Sequence, residues 1–316
     1  GPATVAAVGT MVIPTMLRQG YSKQFVLALV ATAGSIGVII PPSIPMVIFG
    51  VATGTSVTQL FMGGFIPGIM IGLTLIAYCY YHCKKRNIGG NGEKPTKKQA
   101  LHAIYDAKWA LINPIIILGG IYAGIFTPTE SAVVAVFYGF FVCLGIYREL
   151  SGKDTWEIIC QSSITTANIM FLVVTAQMFG YLLTYYRIPI YVTEAFMAIA
   201  SSPAVFMMLI VVLLTICGMF IEVGATNLIL GPILAPIAIQ FGIDPVHFGL
   251  VFVFLLAMGQ ATPPFGTTLF VACGISKEPV ARVSRMILPF VIVELLCAIL
   301  FAYVPSLSTF LGEFMS

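Results

Sequence analysis

The sequence predicts an all-α membrane protein of inverted repeats, with two re-entrant helical hairpins and two helices broken at Pro-Pro pairs. Of the 316 residues, 59% are apolar and only 9% are charged, and the mean hydropathy is +1.02. Soluble domains carry about 25% charged residues, so this composition excludes an ordinary soluble protein. Apolar stretches of membrane-spanning length recur along the chain. Two distant segments share one pattern of glycine and proline.

Seven segments are apolar and long enough to cross the roughly 30 Å hydrocarbon core of a bilayer. Other apolar segments are predicted to form the hairpin arms and, at about 188–202, an interfacial arm helix. The predicted crossings are residues 24–52, 60–82, 109–126, 131–146, 164–186, 248–274 and 287–304.

The basic residues predict the orientation of these spans. Seven of the fifteen lie in the hydrophilic loop 83–108, which the positive-inside rule places in the cytoplasm. Counting the spans from that loop puts fourteen of the fifteen basic residues on the cytoplasmic side and leaves Arg187 outside. The same count places the C-terminus in the periplasm.

Seven cysteines are present, without a Cys-x-x-Cys pair. Cys79, His82 and Cys83 lie within one helical turn, but no second pair of ligands follows at metal-site spacing. We therefore expect neither a structural metal site nor a disulfide framework.

Residues 3–42 align with residues 225–264 without a gap, at an offset of 222 residues. The eight identities are mostly glycine and proline, the residues that most strongly determine backbone shape. Chance similarity between two membrane helices is the alternative. The identities are Ala3/Ala225, Thr4/Thr226, Gly9/Gly231, Pro14/Pro236, Gly20/Gly242, Gly37/Gly259, Pro41/Pro263 and Pro42/Pro264.

Each copy consists of a short apolar arm, at 5–17 or 228–239, and a helix that breaks at Pro-Pro and resumes. In the second copy a preceding arm, 205–223, completes a re-entrant hairpin that turns at Gly224–Asn227. The corresponding arm of the first copy would precede Gly1, so we expect the polypeptide to begin upstream. Five predicted crossings separate the two hairpin tips, an odd number, so the hairpins enter from opposite faces. This is the architecture of secondary transporters.

The helix breaks predict an ion site. Two successive prolines unwind a helix and leave carbonyls unpaired, which is untenable in lipid without a polar partner. The hydroxyls of Thr4 and Thr226 and the Asn227 amide supply such partners around a dehydrated Na⁺. The resumed half-helices direct positive N-termini at an anionic carboxylate. Ser43, Thr267 and Thr268 could donate to that carboxylate. For each hydroxyl the alternative is a bond to its own helix.

Other polar residues have simpler predicted roles. We expect Glu130 to cap a helix, Glu294 to pair with a neighbour and His247 to be solvated. Glu222 either faces the site or meets water outside. The sequence contains no Ser/His/Asp set and no cleft with paired carboxylates, so we do not expect an enzyme.

Four motifs, which together extend over essentially the whole chain, resemble the large membrane subunit of tripartite ATP-independent periplasmic (TRAP) transporters. The resemblance is specific because the motifs occur in the family's order. They are Gly1-Pro2-Ala3-Thr4, Gly37-Val38-Ile39-Ile40-Pro41-Pro42-Ser43-Ile44-Pro45-Met46, Phe126-Thr127-Pro128-Thr129-Glu130 and Gly259-Gln260-Ala261-Thr262-Pro263-Pro264-Phe265-Gly266.

The resemblance implies an elevator-type, Na⁺-coupled importer in a bacterial inner membrane. It also implies a small four-helix membrane subunit, separate or fused, and a periplasmic binding protein that delivers a carboxylate. Sialic acid is the preferred substrate and a C4-dicarboxylate is next. The predicted substrate-binding residues are Ser43, Asn227, Thr267 and Thr268. The Na⁺ residues that the resemblance implies are Thr4, Gly37, Val38 and Pro41 in one site and Gly224, Thr226, Thr262 and Pro264 in the other.

The family organisation predicts a transport domain of two repeats, residues 1–56 and 203–276, a scaffold at 57–202 and a final span at 277–316. A stand-alone Na⁺- or H⁺-coupled dicarboxylate carrier is the alternative function. An integral-membrane enzyme or an energy-coupling subunit is disfavoured, since neither His pairs nor acid chains occur within spans. A channel is disfavoured by the paired hairpins, and no nucleic-acid partner is predicted.

Overall fold

The computed structural model describes residues 1–86, 88 and 96–313, and all regular secondary structure in those residues is helical. Residues 87 and 89–95 of the predicted cytoplasmic loop lie outside the described residues. The helices are α1 (Pro2–Arg18), α2 (Lys23–Ala33), α3 (Ile36–Ile39), α4 (Ile44–Thr53), α5 (Val57–Arg86), α6 (Lys97–Asp106), α7 (Lys108–Tyr122), α8 (Pro128–Phe140), α9 (Gly152–Tyr185), α10 (Ile188–Ile199), α11 (Pro203–Phe220), α12 (Val223–Gln240), α13 (Pro245–Gly259), α14 (Thr267–Ser276), α15 (Val280–Tyr303) and α16 (Ser306–Glu313).

Among the described residues, six helices are long and apolar enough to cross a membrane. They are α5, α8 with its π-helical continuation Phe141–Ile146, α9, α11, α12 and α15. A seventh candidate is the pair formed by Lys23–Ile39 and α4, which is bent by 45° at the break between them. The prediction of an all-helical, multispanning membrane protein is confirmed.

Three predicted segments differ in detail from the helices observed. The span predicted at 109–126 is a helix of only 15 residues, α7. The span predicted at 248–274 consists of α13 and α14, separated by a break. The arm predicted at 228–239 belongs to the 18-residue helix α12, which begins at Val223 because the Glu222 carboxylate caps its free amides.

The chain divides into two compact units, Gly1–Gly92 with Phe179–Ser316, and Glu93–Met178. In the smaller unit α7 packs against α8, and the Ser131 hydroxyl donates to the Ile117 carbonyl at 2.8 Å. Glu130 forms a capping box with Thr127: the Thr127 amide donates to the Glu130 carboxylate at 2.8 Å, and the Glu130 amide donates to the Thr127 hydroxyl at 3.3 Å. The structural role predicted for Glu130 is therefore confirmed.

Helix α13 forms the core of the larger unit. Every residue from His247 to Gly259 is buried, because the helix is apolar on all sides and is surrounded by α5, α11, α12 and α15.

The prediction that His247 is solvated is wrong. Its side chain is 1% exposed, with Nδ1 2.7 Å from the Ser308 hydroxyl and Nε2 3.2 Å from the Ala302 carbonyl oxygen. The C-terminal segment covers the ring, which local sequence does not indicate.

Helices α11 and α13 approach each other at two glycines. A methyl group added at Gly259 would overlap the carbonyl carbon of Gly218. Glycine at both positions therefore permits the backbones to touch, as small residues commonly do between membrane helices.

An ion-pair cluster joins the beginning of α2 to the segment between α14 and α15. Lys23 Nζ lies 2.9 Å from the Glu278 carboxylate, and Arg282 lies 3.3 Å from the other carboxylate oxygen. The Glu278 side chain is 9% exposed. The hydrogen bond from Lys23, assisted by Arg282, lowers the pKa of Glu278 below its ordinary value of 4.5.

We expect Gly259→Ala to lower the free energy of unfolding by about 1–3 kcal/mol, because the added methyl group overpacks the contact between α11 and α13. The thermal unfolding midpoint of the detergent-solubilised protein should fall accordingly. Gly119→Ala in α7 is the matched control, since a methyl group there meets nothing within 4 Å. Equal midpoints for the two variants would contradict the close contact.

The ionisation of Glu278 makes the stability of the folded protein depend on pH. Because its pKa is lowered in the folded protein, its stabilising contribution is present above pH 4.5 and is lost as the pH falls through the lower folded value. We expect wild type to be more stable than Glu278→Gln at pH 7, with the difference shrinking on acidification. Thermal unfolding of both proteins across this range measures the effect. A difference independent of pH would show that the ion pairs do not stabilise the fold.

Candidate functional site

The first break separates α3 from α4. The helix ends at Ile39, the backbone of Ile40 is extended, and α4 begins at Ile44. The Ser43 hydroxyl accepts a hydrogen bond from the Met46 amide at 3.4 Å and so caps α4. The Pro41-Pro42 peptide bond is cis. As predicted, the helix is interrupted around the Pro-Pro pair and resumes at once.

The second break, 260–266, separates α13 from α14 and folds back on itself. The Thr268 amide and hydroxyl both donate to the Gln260 carbonyl oxygen, at 3.1 and 2.8 Å. A methyl group at Gly266 would lie 2.5 Å from that same oxygen, so only glycine fits there. The Pro263-Pro264 peptide bond is also cis. The hydrogen bonds bring the first turn of α14 against Gln260, the first residue of the break.

The N-terminal end of α1 lies between the two breaks. A methyl group at Gly37, just before the first break, would lie 2.5 Å from the Thr4 hydroxyl oxygen. One at Gly1 would lie 2.5 Å from Gln260 Oε1 and 3.4 Å from the Val38 side chain. The structure therefore brings together the predicted residues Thr4, Gly37 and Val38, and adds Gln260 from the second break.

The N-terminal end of α12 packs on α4 at the first break. The Asn227 amide nitrogen donates to the Pro45 carbonyl oxygen at 2.9 Å. A methyl group at Gly224 would lie 3.5 Å from the Ile48 side chain and 2.9 Å from the Glu222 carboxylate. Glu222 is exposed and caps α12 through the Ala225 amide at 3.1 Å. These contacts hold the beginning of α12 against α4.

Two buried oxygen atoms at these tips and breaks have no hydrogen-bond partner: Asn227 Oδ1 and Gln260 Oε1. Both side chains are almost fully buried, at 0% and 3% exposure. A buried, unpaired acceptor is costly, which favours a bound donor or cation. No group of three His, Cys, Asp or Glu residues suitable for a metal ion occurs in the described residues. Neutral oxygens suit a hard monovalent cation better than a transition metal.

Several predicted hydroxyls form the local bonds that were the alternative to a ligand role. Thr226 donates to the Glu222 carbonyl at 3.0 Å, and Thr262 donates to the Met258 carbonyl at 3.1 Å. Both side chains are buried, and each oxygen keeps lone pairs that a cation could use. Thr267 and Pro264 are exposed.

Gln260 is the polar residue that sequence reasoning missed at this site. It lies inside the quoted motif, as the first residue of the break, and is a lone amide that follows an apolar run. Its position in the motif was the sequence signal that could have identified Gln260 as a site residue. The site can therefore offer neutral oxygens from Thr4, Asn227 and Gln260.

Comparison with known proteins identifies one family of membrane transporters. Residues 1–307 match the family model described as "Tripartite ATP-independent periplasmic transporter, DctM component". An isethionate TRAP transporter permease protein, DctMQ, of Oleidesulfovibrio alaskensis is 43% identical over 98% of this chain and 49% of its own length. The C4-dicarboxylate TRAP transporter large permease protein DctM of Vibrio cholerae is 38% identical over 98% of this chain and 73% of its length.

A third relative, the sialic acid TRAP transporter permease protein SiaT of Haemophilus influenzae, is 34% identical over 99% of this chain and 51% of its length. The chain thus spans about half the length of the first and third of these relatives. All three are named as permeases, which confirms the prediction that the chain is not an enzyme. With the family match covering residues 1–307, the chain belongs to the DctM component family of tripartite ATP-independent periplasmic transporters.

Proposed function

We propose that this chain is the transport subunit of a Na⁺-coupled importer for an organic acid anion in a bacterial inner membrane. The observation that carries the proposal is the pair of unpaired, buried oxygens, Asn227 Oδ1 and Gln260 Oε1, beside two interrupted helices. Interrupted helices with exposed half-helix ends are where secondary transporters bind substrate and coupling ion.

We assign one Na⁺ to the neighbourhood of Thr4, Gly37, Val38 and Pro41. Contact between Thr4 and Gly37 supports this assignment, because it sets a hydroxyl oxygen against the helix just before its break. The Gln260 side-chain oxygen, next to Gly1, is a further ligand of the right chemistry. Oxygen ligands without net charge suit a monovalent cation that the site must also release.

We assign a second Na⁺ to Gly224, Thr226, Thr262 and Pro264. Thr226 and Thr262 are buried, and α12 packs against α13. Their hydroxyl hydrogens are used by the backbone, so the oxygens face other partners as acceptors only. That is the orientation a cation ligand needs.

We assign the substrate carboxylate to the starts of α4 and α14, with Ser43, Asn227 and Thr267 as donors. The predicted donor role of Thr268 is corrected, because its amide and hydroxyl hydrogens are both used by the Gln260 carbonyl oxygen. Free amides at a helix N-terminus favour an anion. Sialic acid is our preferred substrate and a C4-dicarboxylate the next, in line with two of the relatives' names. The isethionate relative adds a small sulfonate to the set to be tested.

The proposed mechanism is elevator-like, with two inverted repeats moving as a transport domain. The exchanged packing supports it: α1 packs on α2 and on α14, and α12 packs on α13 and on α4. Each arm thus contacts the broken helix of its own copy and the resumed half-helix of the other. We propose that a small membrane subunit, separate or fused, and a periplasmic binding protein complete the system, with the loop 83–108 in the cytoplasm and the C-terminus in the periplasm.

Ion coupling supplies enough energy for import without ATP. Each Na⁺ that moves inward gains about 2.3 kcal/mol per 100 mV of membrane potential, and two of them exceed the opposing cost of one carboxylate. A carrier that works without a binding protein is the competing proposal.

Reconstituted into liposomes with its partner subunits, the full-length transporter should import substrate only with an inward Na⁺ gradient and the matching binding protein. Replacing external Na⁺ with K⁺ should abolish uptake if the proposed sites bind Na⁺ selectively, since no coupling ion would then enter with the substrate. Radiolabelled uptake of sialate, succinate and isethionate measures both coupling and substrate class. Unchanged uptake in K⁺ would refute Na⁺ coupling, and uptake without the binding protein would favour the stand-alone carrier.

The double variant Thr226→Ala, Thr262→Ala should raise the Na⁺ concentration for half-maximal uptake by about tenfold, equivalent to about 1.4 kcal/mol of lost ion binding. The matched control is Thr165→Ala with Thr184→Ala, which removes two hydroxyls that make the same kind of backbone bond on exposed faces of α9. Normal Na⁺ dependence in the test variant would remove the second Na⁺ site.

A further inference from the structure

Glu294 is a fully buried carboxyl group in the middle of α15, at 0% exposure. One of its oxygens, Oε1, is hydrogen-bonded to the Ser35 hydroxyl, and the other, Oε2, has no partner. Among the described residues no cation forms an ion pair with it. A bare carboxylate is very costly in such surroundings, so its protonation state needs an explanation.

The hydrogen bonds of Ser35 explain the protonation state of Glu294. The Ser35 hydroxyl lies 2.7 Å from the Thr32 carbonyl oxygen, in donor geometry, and also contacts Glu294 Oε1. A hydroxyl has one hydrogen, and a carbonyl can only accept. If Ser35 donates to Thr32, the hydrogen between Ser35 and Glu294 must come from the carboxyl group. The observed arrangement therefore fits a protonated Glu294.

A second arrangement is available when that proton leaves. The Ser35 hydroxyl can then turn and donate to the ionised carboxylate, because the Thr32 carbonyl keeps a backbone bond from the Ser35 amide at 2.9 Å. Loss of the proton thus removes the bond from the Ser35 hydroxyl to Thr32 at the end of α2 and reverses the direction of the bond between Ser35 and Glu294 of α15. Ser35 lies between α2 and α3, directly before the helix that leads into the first break.

Other titratable and charged groups lie on α15 and on the helices packed against it. On α15 itself, Cys297 lies one turn beyond Glu294 and its sulfur is 3.2 Å from the Thr74 hydroxyl of α5. Tyr78 and His82 of α5 contact Phe290 and Phe25. The other titratable or charged groups on helices packed against α15, or at its beginning, are Lys23 of α2, Cys79, Cys83, Lys84, Lys85, Arg86, Tyr80 and Tyr81 of α5, Cys217 of α11, His247 of α13, Cys273 of α14, and Lys277, Glu278, Arg282, Arg285 and Tyr303.

We propose that Glu294 and Ser35 form a proton-binding site, separate from the proposed Na⁺ and substrate residues, whose occupancy sets the hydrogen bonding where α2 gives way to α3. The protonated form is the transport-competent one, in which Ser35 and Thr32 hold that junction. The site gives the proposed importer a dependence on proton concentration in addition to its dependence on Na⁺.

The first test does not depend on transport. Infrared difference spectroscopy of the purified full-length transporter should show a protonated-carboxyl C=O band at neutral pH that disappears on alkalinisation. Glu294→Gln should lack the band, and the control Glu157→Gln, an exposed position in α9, should retain it. Absence of the band in wild type, or its persistence in Glu294→Gln, would overturn the proposal.

The second test rests on the proposed transport function. Wild-type uptake should fall by about tenfold for each pH unit above the titration of the site, because the protonated fraction falls by that factor. Uptake by Glu294→Gln, which stays neutral and can still donate to Ser35, should not follow that decline. A Glu294→Gln profile identical to wild type would overturn the switch, whereas an absence of Na⁺-driven uptake in every protein would count against the proposed function alone.

A third variant covers the case in which Glu294→Gln fails to fold. Ser35→Ala keeps the carboxyl group but removes its hydrogen-bond acceptor, so the C=O band should shift in frequency. The control Ser163→Ala, on an exposed face of α9, should leave the band where it is. An unshifted band in Ser35→Ala would show that Ser35 does not hold the proton site.

Discussion

Backbone polar groups inside a membrane must find partners within the protein, and this constraint shapes both helix breaks. The second break is closed by its own chain, because Thr268 returns two hydrogen bonds to Gln260 across the interruption. The first is completed by a side chain from elsewhere, since Asn227 reaches Pro45. At these breaks two buried side-chain oxygens, Asn227 Oδ1 and Gln260 Oε1, have no hydrogen-bond partner, which supports the ion and substrate site proposed there.

The same constraint explains why small residues lie where they do. Gly266 leaves room for the carbonyl that closes the second break, and Gly37 leaves room for Thr4 beside the first. Gly218 and Gly259 let α11 and α13 touch through their backbones. Glycines that look alike in the sequence therefore serve three different contacts, and each contact brings a polar or backbone group close to a break.

Much of the fold followed from local pattern. Hydropathy located most of the spans, and the Pro-Pro pairs located both interruptions, because each depends on the residues at hand. The Thr127–Glu130 cap was likewise predictable from spacing. The contacts of Asn227 with Pro45, of Ser35 with Glu294 and of His247 with Ser308 join residues far apart in the chain. One sequence without relatives carries no signal for such pairings, so the burial of His247 was not predicted.

The cluster of Lys23, Glu278 and Arg282 has a mechanical consequence. It fastens the first residue of α2 to the segment that follows α14, while α1 packs on both of these helices. A displacement of either helix along its axis would be transmitted to the other through this clamp and through α1. In the proposed elevator-like mechanism, α2 and α14 would therefore move together, and the distance between them would stay constant.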